Sequence, residues 1–477
     1  MCPKQTRVVS AVLAAVFAVA APIHANGQIS QDKQSKHRMS VEMLERMIAD
    51  ASSGSTVVIP PGTYRGQLKV RSPVVLDGQG EVTIDGEGIG TVIEITAPSV
   101  TVRNIRVTGS GDNVTGEPAA IRVLAPAVVI EHNVITDALF GIDLRESSDS
   151  VVRYNDITGK PLEPGRRGDG IRLWWSHHCT VEDNIVRQAR DMVFWYSEGL
   201  KISRNVVSGS RYGLHFMYSH DTTLEENELA SNSVGVYLMY SNRITLIANR
   251  MTDNRGASGY GIGLKDCDDI ELFGNALLAN RVGIYIDNAP SSIDSIGSIS
   301  SNMIAFNEIG LLATPNTHSN TIVSNAFIEN EEQAATHGRG DLGNNTFSTA
   351  GTGNFWSDYA GFDHDRDGIG DLAYAPRNLF AAIVSREPNL RFFMHSPAQQ
   401  AVDFTARALP ELRPQPVFID EHPLVKAPSI DITMPKHQST PWHLAIVGIC
   451  LIGGVACLGS WLYWEQPLGQ TATKDVP

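Results

Sequence analysis

Residues 211–220 read RYGLHFMYSH, and residues 233–242 read SVGVYLMYSN. Met217 therefore recurs as Met239, with Gly213, Tyr218 and Ser219 repeated as Gly235, Tyr240 and Ser241. Methionine is most often adaptable core filler. Two thioethers held at one position of a repeat, with His215 two residues from the first, form a different kind of set. Thioether sulfur and imidazole nitrogen suit Cu(I), so Met217, Met239 and His215 are candidate ligands for copper held in transit. Upstream, Trp174, Trp175, Trp195 and Tyr196 precede the pair, and Tyr218 and Tyr240 each follow one of its methionines. Those six aromatics are candidate partner-docking residues.

A second chemical signal lies further on, in DHDRDGIGD at 363–371. Asp363, Asp365, Asp367 and Asp371 stand at positions 1, 3, 5 and 9 of a calcium-type loop, with Gly368 at the sharp turn. Position 12 is Tyr374, which leaves the usual bidentate Glu unfilled. The expectation is structural Ca²⁺; an Asp-Gly turn in solvent is the plainer alternative.

These residues need elements that place them, and a repeat supplies them. Glycine opens GIDL at 141, GIRL at 170, GLHF at 213, GVYL at 235, GIGL at 261, GIYI at 283 and GLLA at 310, and Asp191 takes that place in DMVF. Behind each apolar pair stands an asparagine: 133, 155, 184, 205, 227, 249, 275, 302 and 325, spaced by 21 to 29 residues. Short β-branched strands at that period, with no amphipathic helix between them, describe an all-β fold, a right-handed parallel β-helix of the sugar-hydrolase type. Leucine-rich repeats share the period, but their leucine spacing is absent. Inward asparagines stacked at one turn are expected to form an amide ladder.

Strand alternation then assigns faces. Counting from the rung-opening residue, offsets 1 and 3 are apolar throughout, as in Leu214 and Phe216 or Val236 and Leu238. Offsets 2 and 4 are expected to face out. They give Arg172, Val193, His215, Tyr237 and Trp174, Trp195, Met217, Met239. A soluble surface seldom exposes such a patch without use, unless a later segment folds over it.

The chain has 477 residues and a net charge of −14, which argues against nucleic-acid binding. Residues 1–25 have the order of a secretory signal: Lys4 and Arg7, an apolar run, then small residues ending at Ala25. Residues 26–54 are expected to cap the β-helix of 55–350, followed by an extension over 351–425 that carries the acidic loop, and a linker over 426–443. Residues 444–464 are 21 uncharged residues preceded by Trp442 and closed by Trp461, Tyr463 and Trp464, long enough for a transmembrane helix. The expectation is a periplasmic body anchored in the inner membrane, with a cytosolic tail at 465–477. Of five cysteines, only Cys179 and Cys267 fall in the exported body. Four rungs, about 19 Å, separate them, too far for a disulfide.

GDGIRLW (168–174), RYGLHFMYS (211–219), VGVYLMYSN (234–242), SGYGIGLKD (258–266), RVGIYIDN (281–288) and GNFWSDYAGFDHDRDGIGDLAY (353–374) together resemble the NosD family over roughly residues 40–425. Those proteins are periplasmic accessory factors for maturation of nitrous oxide reductase. The resemblance implies a non-enzymatic role in copper delivery to the reductase's copper–sulfide cluster. It also implies partners: the apo-reductase, the ATPase and membrane subunits of an ABC transporter, and a copper chaperone lipoprotein. Two alternatives stay open. One is a polysaccharide lyase, hydrolase or epimerase on the same fold, using Lys265 with Asp266, Asp268 and Asp287. The other is a structural adaptor that binds no copper itself.

Overall fold

The computed structural model describes residues 38–430, apart from 378, 395 and 413. The expected signal segment and transmembrane run lie outside those residues. Among the described residues no helix is long and apolar enough to cross a membrane.

The body is a right-handed parallel β-solenoid. One face is a twelve-stranded parallel sheet, from Leu68–Val70 to Glu332–Thr336, to which each turn contributes one strand. Short strands on the remaining faces join in a second, 24-stranded sheet. Inward residues stack rung on rung. Leu214 pairs with Val236, Val236 with Ile262 and Ile262 with Ile284, and all four are fully buried. Phe194 and Phe216 stack at 4.7 Å inside the same column.

The polar core follows the asparagines. Each Nδ2 donates to the Oδ1 of the next rung, as from Asn184 to Asn205 (3.0 Å), Asn205 to Asn227 (3.0 Å) and Asn227 to Asn249 (2.9 Å). The ladder ends where Asn354 N–H donates to the buried carboxylate of Asp420 at 2.8 Å. A second ladder, Asn254 to Asn280, Asn307 and Asn330, runs along another corner. A third column is made of serine: Ser147, Ser176, Ser197 and Ser219 each donate their backbone N–H to the hydroxyl of the next, ending on Ser241. The serine of the repeated MYS is therefore scaffold.

The helix Val41–Asp50 covers the first rung with Val41, Leu44 and Ile48, and Ser40 caps it by accepting from Glu42 N–H at 3.2 Å. At the other end, strand Phe355–Trp356 pairs with Ala326–Phe327, and Trp356 Nε1 donates to Asp420 at 2.8 Å. Cys179 and Cys267 are buried and free. Burial pushes their thiols up, to about 11 and about 12, which disfavours the thiolate and makes neither a ready nucleophile.

Candidate functional site

Three parallel columns run along the outer face of the twelve-stranded sheet. The first is the one expected at offset 4. Register pairs Arg145 with Trp174, Trp174 with Trp195, Trp195 with Met217, Met217 with Met239, Met239 with Lys265 and Lys265 with Asp287. The two methionines are therefore lateral neighbours on adjacent strands, both half-buried. Trp174 is 37% exposed and meets Trp195 edge-on at 5.9 Å.

The second column sits one residue later, where each strand ends. Trp175, Tyr196, Tyr218 and Tyr240 stack in sequence at 5.1, 5.3 and 5.0 Å, within 14° of parallel. Trp175 and Tyr218 are 50% and 42% exposed. All four have left-handed backbones, with φ between 50° and 52°. This turn fans the rings away from the strand, which makes a ribbon of aromatic surface four rungs long.

The third column corrects an expectation. Offset 2 does lie on the outer face, yet His215 is buried rather than exposed, as are Arg172, Val193 and Tyr285. Rings on neighbouring rungs, about 4.8 Å apart, cover one another. Trp195 meets the His215 ring edge-on at 5.6 Å, Tyr212 does so at 4.8 Å, and Tyr237 lies near-parallel at 6.5 Å. His215 Nδ1 lies 3.5 Å from a carboxylate oxygen of Asp191, beyond an ordinary hydrogen bond, and neither His215 Nε2 nor the buried Nε1 of Trp195 has a partner. Buried polar nitrogens left unpaired are costly and call for an explanation. Imidazole nitrogen and thioether sulfur are ligand types suited to a soft monovalent cation.

A charged cluster flanks the columns, and sequence reading did not find it. Asp143 accepts from Arg122 (3.0 Å), Arg145 (3.0 Å) and Arg172 (2.9 Å). Glu117 accepts from both Nη atoms of Arg172, at 2.9 and 3.1 Å, and from Arg145 at 2.5 Å. Hydrogen bonding to Arg172 holds the Glu117 carboxyl down at about 2, against the opposing pull of burial. Arg172 did stand in the offset-2 column, and Asp143 pairs with it on the preceding rung. Glu117 comes from a loop before the repeat is regular, with no periodic signal to place it there.

Lys265 Nζ lies 3.0 Å from Asp287 and 3.3 Å from Asp266, so its charge is engaged by both carboxylates. Asp268 is occupied by Ser291 and Ser292, whose hydroxyls and N–H groups donate to it.

In the acidic loop, Asp363, Asp365 and Asp367 bring carboxylate oxygens within 4.8 Å of one another. Asp371 does not join them; it accepts from His364 N–H at 2.8 Å. Asp363 accepts from the N–H groups of Arg366 (2.6 Å) and Gly368 (3.0 Å), so much of the loop's acceptor capacity is met by its own backbone.

A family model described as "Periplasmic copper-binding protein (NosD)" matches residues 147–361, a range that contains all three columns from Trp174 to Asp287. A protein of Pseudomonas aeruginosa named "Probable ABC transporter binding protein NosD" is 32% identical over 78% of this chain and 88% of its own length. Its namesake in Stutzerimonas stutzeri is 29% identical over 80% and 89%. Among solved structures, the A-module of mannuronan C-5 epimerase AlgE6 from Azotobacter vinelandii is 16% identical, covers 65% of this chain and 98% of its own, and has a TM-score of 0.45. With the relatives aligned over most of their length and the family model lying across the Trp–Met ladder itself, the chain belongs to the NosD family.

Proposed function

We propose that this protein is a periplasmic copper carrier and docking platform in the maturation of nitrous oxide reductase. Met217, Met239 and His215 hold Cu(I) in transit. Trp174, Trp175, Trp195, Tyr196, Tyr218 and Tyr240 seat the partner that delivers or receives it. The partners in this reading are an ABC transporter, through its ATPase and membrane subunits, a copper chaperone lipoprotein and the apo-reductase. Anchoring by residues 444–464 keeps the carrier at the inner membrane beside the transporter. The relatives' names support the transporter partner, and the family description supports copper and the periplasm.

One observation carries the site: adjacent strands hold Met217 and Met239 side by side, next to a buried imidazole whose Nε2 has no partner. Two half-buried thioethers suit transfer, because a site open on one side can pass its ion on. A closed four-ligand cage would not. Exposed aromatics around the ligands give a partner apolar surface from which water is excluded on contact.

The test is competition with a chromogenic Cu(I) chelator on the purified full-length protein. Met217→Leu with Met239→Leu conserves volume and apolarity. That double variant and His215→Ala are expected to lose Cu(I) affinity and to leave the reductase poor in copper. Wild-type affinity in both would refute the copper site and leave the adaptor reading.

A further inference from the structure

The rung before His215 breaks the repeat at one position. Seven rungs open on glycine, and one opens on Asp191. The glycines are there because the corner is tight: a Cβ on Gly213 would lie 2.5 Å from Gly235 O, and one on Gly235 would lie 2.5 Å from Gly261 O. Asp191 is accommodated by a shift in register. It pairs with Tyr212 while Val193 pairs with His215, so the ladder slips by one residue between them. The bulge brings a fully buried carboxylate against the imidazole.

That carboxylate is well held. Asp191 Oδ1 accepts from Arg211 Nε at 3.0 Å and from Tyr212 N–H at 3.1 Å, and Oδ2 accepts from the second guanidinium nitrogen of Arg211. His215 Nδ1 lies 3.5 Å from the same Oδ2. That separation is long for a direct hydrogen bond, yet no other acceptor competes for either ring nitrogen.

We propose that Asp191 is a positioning residue for copper: it keeps the His215 proton on Nδ1 and so leaves the Nε2 lone pair for the cation. This rests on the reading of His215 as a Cu(I) ligand and adds to it a second residue and a named nitrogen. A carboxylate behind a ligating histidine fixes both its tautomer and its ring orientation, and loss of such a partner costs about 10- to 100-fold in metal affinity. An amide in the same place reverses the arrangement, since its N–H can donate to Nδ1 and move the proton to Nε2.

Two variants separate this from a structural role. Asp191→Gly restores the residue that the rungs on either side carry, and Asp191→Asn keeps the shape. The first measurement uses no copper: nitrogen-15 signals of the His215 ring in the full-length protein. The wild type is expected in the Nδ1–H tautomer and Asp191→Asn in the Nε2–H tautomer. An Nε2–H wild type would overturn the proposal whatever the copper results. The second is Cu(I) competition, where both variants are expected to weaken binding about 10- to 100-fold and to add nothing to His215→Ala. If His215→Ala weakens binding and the Asp191 variants do not, Asp191 has no positioning role and the copper site stands. If His215→Ala binds as wild type, His215 is not a ligand and the role of Asp191 falls with it, while the Met217 and Met239 double variant decides whether the site stands.

Discussion

Asn205→Ala tests how the ladder holds the site in register, because Asn205 closes the rung that carries Trp195 and precedes Met217. The side chain is fully buried. Its Oδ1 accepts from Asn184 N–H at 3.1 Å and from Asn184 Nδ2 at 3.0 Å, and its Nδ2 donates to Val181 O (2.9 Å), Ser203 O (3.1 Å) and Asn227 Oδ1 (3.0 Å). Alanine removes all five bonds. Asn184 Nδ2 keeps its bonds to Val152 O and Glu182 O, and Asn227 Oδ1 keeps the backbone N–H of residue 205. The Asn184 N–H keeps nothing, at a cost of about 1–3 kcal/mol, and the other lost bonds add about 0.5–1.5 kcal/mol each. The sum is about 3–9 kcal/mol before any relaxation, a large share of a typical domain's stability. Rungs contact mainly their neighbours, so the loss should be local. Hydrogen exchange on the full-length protein should show the strands Lys201–Ser203 and Val206–Ser208 and the rungs on either side losing protection, while Gly62–Arg65 and Ala326–Ile328 keep theirs. A loss under about 1 kcal/mol, or a uniform loss along the solenoid, would refute the view that each amide carries its own rung.

Other outcomes follow from the same geometry. Glu117 titrates at about 2 when folded, below its ordinary value, so its pairing stabilises the fold fully above about pH 4.5, and that contribution is lost as pH falls towards 2; Glu117→Gln should flatten this part of the acid denaturation curve, and an unchanged acid limb would contradict the assignment. Occupation of the acidic loop by Ca²⁺ should make the melting temperature of the full-length protein fall on chelation, and Asp365→Ala with Asp367→Ala should abolish the response; equal responses in variant and parent would exclude the loop. Trp175→Ala with Tyr218→Ala removes two exposed rings of the stacked ribbon and should weaken pull-down of the transporter subunits or the apo-reductase while Cu(I) affinity stays within about twofold, whereas unchanged capture of all partners would remove the docking role.

Much of the fold was legible because its period is visible. Glycine at the rung corner and asparagine behind each apolar pair recur closely enough to define register, and register alone brought Met217 beside Met239 and Trp174 beside Trp195. What escaped was whatever depended on contact between columns. Alternation assigned His215 to the outer face correctly, but burial there is decided by the rings of Trp195, Tyr212 and Tyr237, which come from three different strands. Glu117 reaches Arg172 from 55 residues away, out of a loop with no repeat signal. The second ladder, through Asn254, Asn280, Asn307 and Asn330, repeats at 26, 27 and 23 residues and went unread beside the stronger first one.

The aromatic ribbon shows where the scaffold's own rules give way. At the strand end, the left-handed turn is filled by Glu146, Asp266 and Asn288 in neighbouring rungs. Asn and Asp are among the residues that tolerate that conformation best, through local hydrogen bonds from short side chains. Trp175, Tyr196, Tyr218 and Tyr240 occupy the same place with no such compensation, at a cost of about 1–2 kcal/mol each. Stacking at about 5 Å returns roughly 0.5–1.5 kcal/mol per pair and leaves the exposed faces of Trp175 and Tyr218 unsatisfied. Folding alone would favour asparagine on all four rungs. The four rungs that depart from it are those that carry Trp174, Trp195, Met217 and Met239, one residue away on the same strands. Left-handed exposed aromatics also occur singly elsewhere, as at Tyr154 and Phe306, but a stacked run of four beside the candidate ligands, on four consecutive turns, is the pattern expected of a surface kept for a partner rather than for stability.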